Sequence, residues 1–157
     1  MKDNNSPKIP PHNIEAEEAI LAAVLIDNQS LNLCMEVLKP EDFYKQAHVL
    51  IYQNMLQLSD RGEPVDLVTL SAILQSRGQL DQVGGASYLS YLVDSIPVPG
   101  NVESYARIVK DKALLRGLIH VAGEIATDCF APDREVSNVI DQAESKLFAI
   151  SENREKK

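Results

Sequence analysis

The residues with the best claim to chemistry are His120, Glu124 and Asp128, spaced four apart so that a helix would align them on one face. An imidazole and two carboxylates in that register could hold a divalent metal or share a proton as acid and base. A histidine and one carboxylate need at least one more ligand, and Asp128 is the only obvious candidate, so the trio reads as a solvated polar face. Glu15, Glu17 and Glu18 make a second acidic group, but they follow Asn13, a preferred N-cap type. Acids there are what the positive end of a helix dipole attracts. His12 and His48 have no matching partners in the sequence, and Cys34 and Cys129 belong to no ligand cluster or nucleophile context. Both cysteines sit in helical patterns, where a thiol packs as a small apolar group. A nucleotide-binding P-loop needs glycines flanking four residues and then Lys-Ser/Thr, and none of the seven glycines meets that spacing. Gly84-Gly85 lacks the lysine and a preceding strand, and reads as a turn. No catalytic, cofactor-binding or metal-binding residue is expected in this segment.

The elements that would position these residues are helices. Residues 1–9 are read as a disordered leader, since the stretch is polar and without period. Beyond it, Ile14, Leu21, Val24 and Leu25 put one face of a first helix into a core, and Leu31, Cys34, Met35 and Leu38 repeat the pattern in a shorter helix stopped by Pro40. Pro40-Glu41-Asp42-Phe43 predicts a single turn with Phe43 as a plug. A third helix over 46–59 turns Ala47, Leu50, Ile51, Met55 and Leu58 inward. Asp66 caps a fourth, ending at Gly78, and a fifth follows Gly84-Gly85 with Tyr88, Leu89, Leu92 and Val93. No stretch alternates like a strand, so the expected fold is all-α: a compact helical bundle head over 10–96.

Pro97 and Pro99, with Gly100, make a stiff proline-rich join over 97–100, and an antiparallel helical hairpin follows over 101–150. Asn101 caps its first arm. That arm carries two apolar stripes: Tyr105, Ile108, Leu115, Ile119, Ala122 and Ala126 in one, and Leu114, Leu118, Val121 and Ile125 in the other. After the turn signal Phe130-Ala131-Pro132-Asp133, Val136, Ile140, Ala143, Leu147 and Ile150 have the seam spacing of a packed second arm. One arm cannot cover both stripes. Leu118, Ile119, Val121 and Ile125, with Ile140 and Tyr88, are therefore the candidate residues for subunit pairing or partner docking. Residues 151–157 read as the start of a linker cut short.

The chain has 157 residues, enough to bury a core without staples, and its two unclustered cysteines fit a reducing cytoplasm. No secretory leader and no apolar run near ~20 residues is present, so a soluble protein without membrane attachment is expected. Fifteen Lys+Arg against 23 Asp+Glu give a formal charge of -8, with the basic residues scattered. That balance repels a phosphate backbone and favours protein partners over direct nucleic-acid binding.

Pro10-Pro11-His12-Asn13-Ile14-Glu15-Ala16-Glu17, Asp42-Phe43-Tyr44, His48, Gly62-Glu63-Pro64-Val65-Asp66, Thr69, Gly84-Gly85 with Tyr88-Leu89, Pro97, Asn101, Tyr105-Ala106 and Ala143-Glu144 together resemble the N-terminal domain of bacterial replicative DNA helicases of the DnaB family. Each fragment is weak alone; their order and spacing over residues 10–150 are specific. Ala22 departs from the glycine the family often carries in its first helix. The resemblance implies a head and hairpin whose hairpins pair between subunits, three pairs forming a collar on a hexameric ring. It further implies docking of the primase C-terminal domain and action by a helicase loader. The ATP- and Mg-dependent motor of that family, with its P-loop, is absent, so the chain reads as a non-catalytic fragment. The alternative is a helicase-binding domain of a primase, or another stand-alone helical interaction module; the 10–17 stretch and Gly84-Gly85-Ala86-Ser87-Tyr88-Leu89 favour the helicase.

Overall fold

The computed structural model describes residues 8–97 and 99–155, so residues 1–7 of the expected leader lie outside the described residues. Among those described, seven α-helices and two short 3₁₀ turns make up the regular structure, and the fold is all-α. Helix α1 (Ile14–Ile26) is the axle. Asn13 caps it as expected, its side chain accepting from Ala16 N at 2.9 Å. The helix does not bury one face only: Ala16, Glu17 and everything from 19 to 24 are enclosed. Alanines at 16, 19, 22 and 23 let neighbours approach from every side, and α1 packs against four other helices.

Helix α2 (Gln29–Met35) buries Leu31 and Cys34 but leaves Met35, expected inward, half-exposed, because the helix ends there. The 3₁₀ turn at Pro40–Asp42 delivers Phe43 into the core against Tyr52. Helix α3 (Gln46–Asp60) buries all five expected residues. Helix α4 (Leu67–Ser76) begins with a reciprocal cap, in which Asp66 Oδ1 accepts from Thr69 N and Thr69 Oγ1 accepts from Asp66 N. The loop before it is tied to the turn between α1 and α2: Asn28 Nδ2 donates to Val65 O at 2.7 Å, and Val65 N donates back to Asn28 Oδ1 at 2.8 Å.

Helix α5 (Gly85–Ser95) is entered through a second 3₁₀ turn, Asp81–Val83, and Gly84 at φ 102. A Cβ on Gly84 would stand 2.9 Å from Tyr88 Cβ, which the first turn of α5 holds in place. Left-handed strain and this collision act together, so Gly84→Ala is expected to cost about 2 kcal/mol in urea unfolding. A loss under ~0.5 kcal/mol would mean that the turn relaxes freely.

Helix α6 (Val102–Phe130) and α7 (Val136–Glu155) form the hairpin, with Asn101 capping α6 through Glu103 N and Ser104 N. The 97–100 join does not divide the core, because Val102, Ala106 and Val109 belong to the same buried cluster as the head. Nor does α7 stop near Ile150: residues 151–155, expected to open a linker, continue its helix.

Candidate interaction surface on the hairpin

Beyond Lys110, α6 leaves the head and α7 becomes its companion. The seam is narrow. A Cβ on Gly117 would lie 3.7 Å from Ile150 Cδ1, and further along Lys146 Nζ reaches Glu124 Oε2 at 3.0 Å and Asp128 Oδ2 at 3.3 Å. Val121, lying between these contacts, is 8 % exposed and sits outside the head cluster. The partly covered residues of α7 are Val139, Ala143, Lys146, Ile150 and Asn153, a regular four-three repeat. The seam expected from apolar residues shared only Ala143 and Ile150 with it. The covered face is rotated toward Lys146, which pairs with two acids of α6.

That rotation reassigns the candidate residues. Val121, one of the candidate pairing residues, is buried within the single chain. Ile125 is half-buried beside it. Leu114, Val121 and Ile125 are buried or partly covered, while Leu118 is exposed together with Ile108, Leu115 and Ile119 of the other stripe. Ile119 is 58 % exposed, Leu118 41 % and Ile140 51 %, and Val136, Leu147 and Phe148 add to the open apolar flank. Phe130, at the tip, is more exposed still. All of these exposed apolar side chains lie on the two arms of the hairpin. Leu114, Leu118, Leu147 and Ile150 also line a shallow apolar depression of about 210 Å³ on the hairpin.

His120, Glu124 and Asp128 are aligned as expected, with His120 Nε2 2.9 Å from Glu124 Oε1. The Lys146 ammonium bridges the two carboxylates, and no group of side chains suited to a metal occurs among the described residues. The hydrogen bond to Glu124, and secondarily that to Asp128, holds the Lys146 pKa above its ordinary value, so the bridge stays cationic. Cys34 is enclosed, burial pushing its thiol up to about 12, whereas Cys129 is exposed near the tip and does not pack as expected.

Tyr88 stands apart from the hairpin, in a polar chain that motif reading missed. Glu17, 1 % exposed, accepts from Tyr44 N at 2.8 Å, from Lys45 N at 3.4 Å, and from His48 Nδ1 at 2.8 Å. His48 Nε2 is 2.6 Å from Tyr88 Oη, whose hydroxyl donates to Glu18 Oε2 at 2.8 Å. The ring of Tyr88 stacks on Tyr91 and lies under Lys45 Nζ. Burial, and then the bond to Glu18, raise its phenol above the ordinary range. The available signal was a carboxylate at position 17, inside the stripe Ile14, Leu21, Val24, and a histidine between Ala47 and Leu50. Unpartnered in sequence, they are partners in space.

A helical head joined to an antiparallel helical hairpin defines the class, an all-α head-and-hairpin domain. Its membership is specific: residues 9–111 match the model of the DnaB-like helicase N terminal domain, and the chain belongs to that family. It is 47 % identical over 154 residues to the replicative DNA helicase DnaB of Geobacillus stearothermophilus, covering 98 % of this chain and 34 % of that protein. The chain thus spans about a third of the length of such curated relatives. The crystal structure of the N-terminal domain of DnaB helicase from Mycobacterium tuberculosis superposes with a TM-score of 0.84 at 36 % identity, covering 90 % of this chain and 99 % of that one. A DnaB-like replicative helicase studied together with its interactions with primase gives 0.72 at 27 % identity, covering 88 % and 31 %. These relatives are helicases, not primases, which sets aside the helicase-binding primase domain. No helix among the described residues is long and apolar enough to cross a membrane.

Proposed function

We propose that this chain is the collar domain of a cytoplasmic replicative DNA helicase, a non-catalytic module that assembles the ring and receives primase. The observation that carries this reading is the open flank of Leu115, Leu118, Ile119, Ile140 and Phe148 on a hairpin held away from the head. A second hairpin of the same kind covers it, so the 101–150 segment pairs copies while residues 10–96 form the head, and three such pairs cap a hexamer. ATP, Mg and DNA unwinding belong to the motor region of the parent. Primase, through its C-terminal domain, docks on the hairpin and the adjoining head surface that includes Tyr91 and, beneath it, Tyr88; the helicase loader acts on the same assembly. The interactions with primase described for the related DnaB-like helicase support this partner. The chain's net charge of -8 argues against a direct hold on DNA.

Ile119→Asn tests the pairing. Because Ile119 is exposed in the single chain, the substitution leaves the fold intact, but an unpaired amide in a dry interface costs about 3 kcal/mol. Sedimentation across concentration should show self-association weakened roughly 100-fold. Equal weight-average mass for the two proteins at every concentration would overturn the assignment of this flank. Light scattering with added primase C-terminal domain reads the second interface in the same samples.

A further inference from the structure

Helix α6 buries Val102, Ala106, Val109 and Lys110 against the head, and then no residue from 111 to 120 is buried. The junction is nevertheless tied, by Arg116. Its Nη1 donates to Pro11 O at 2.7 Å and its Nη2 to Asp42 O at 2.6 Å, so one planar guanidinium grips two separate segments of the head. It also lies over the Tyr44 ring at 5.4 Å, and the other partner of that ring is His12, stacked at 4.3 Å. His12 Nδ1 donates to Pro10 O at 2.7 Å, which stiffens the strap of residues 10–13. On another side of the junction a cleft of about 260 Å³, lined by Met35, Leu38, Lys110 and Asn153 among others, separates the end of α7 from the head. Apolar packing therefore does not fill the angle between the two bodies.

We propose that Arg116 is a positioning residue that sets the angle of the hairpin to the head. The inference rests on the reading of the hairpin as the pairing element. From Lys110 to Phe130 the helix extends about 30 Å, so a 10° tilt, taken as roughly the smallest useful swing, moves the tip by about 5 Å. That exceeds the ~4 Å over which apolar side chains stay in contact, and two hairpins that meet at one angle miss at another. A charge-assisted fork to two fixed carbonyls supplies the stiffness, and a lysine, with one ammonium, cannot span both in the same plane. Because those acceptors are backbone carbonyls, the grip is independent of the side chain of Asp42.

The test measures the angle directly. Cys129 is exposed and Cys34 enclosed, so a nitroxide on Cys129 and a second on Gln53→Cys, an exposed site on α3, report the tip-to-head distance by double electron–electron resonance. Labelled chains are diluted into excess unlabelled protein, so that only distances within one molecule are read, whether or not copies pair. The parent is expected to give one narrow distance. Arg116→Ala should lose it in favour of a broad distribution while far-UV circular dichroism keeps its helical amplitude, and Arg116→Lys should fall between. If Arg116→Ala unfolds the chain, Arg116→Lys decides: broadening supports the assignment and a parental width overturns it. A parental width in a folded Arg116→Ala likewise overturns it. Failure of self-association would be seen by sedimentation and would leave this distance measurement unchanged.

Discussion

Glu17→Ala is expected to lower unfolding stability by about 4 kcal/mol, through loss of the common acceptor of three buried or half-buried donors. Helix α3 begins at Gln46, and its N-cap, Lys45, has no side-chain cap of its own. Glu17 supplies one from another helix, accepting from the Tyr44 and Lys45 N–H groups and placing its charge at the positive end of α3. It holds His48 Nδ1 at the same time. Alanine leaves the three donors without their common acceptor, His48 Nδ1 in a fully enclosed place. For a chain of this length each kcal/mol lowers Tm by ~2–4 °C, so calorimetry should find a fall of roughly 8–16 °C. Glu17→Gln retains one acceptor oxygen and should lose about half as much. A fall below ~3 °C for the alanine variant would show that the cap is dispensable.

Asp42→Ala is expected to cost about 3 kcal/mol, and the comparison with Lys110→Met carries the meaning. Asp42 Oδ2 accepts from Lys39 N at 2.8 Å and from Lys110 Nζ at 3.1 Å, and the two side chains are only 12 % and 8 % exposed. Removing the carboxylate strands an ammonium in a poorly solvated place, where an unpaired charge is far more costly than the pair. Methionine at 110 keeps the packing of the lysine stem and leaves Asp42 bonded to Lys39 N, so that variant should lose only about 1 kcal/mol. Urea unfolding of the two proteins gives the order. If Lys110→Met proves the more damaging, the Asp42 carboxylate left with Lys39 N alone is the costlier charge to strand, and the assigned order is overturned.

These two sites show where residue-by-residue reading stops. Asn13, Asp66 and Asn101 were legible as caps because a cap is local: its acceptor lies two or three residues from its donor. The trans cap of α3 was not legible, because Glu17 is 27 residues from Tyr44 and at a helix start an acid already has an ordinary explanation. His48 and Arg116 were silent for the same reason, their partners lying 31 to 105 residues away in the chain.

The sequence alone determined the helix count, the all-α class, the turns at Gly78 and Gly84, and the excess of apolar surface on the hairpin, since each follows from periodicity and local backbone preference. Only the tertiary structure decided which flank is open. Apolar spacing put Val136, Ile140, Ala143, Leu147 and Ile150 in the seam; in the fold Ala143 and Ile150 keep their place, and Val139, Lys146 and Asn153 are covered where Val136, Ile140 and Leu147 were expected. A rotation of a helix changes none of its internal hydrogen bonds, so its own residues express no strong preference for one rotation over another, and the packing and charges of the neighbouring helix make the choice.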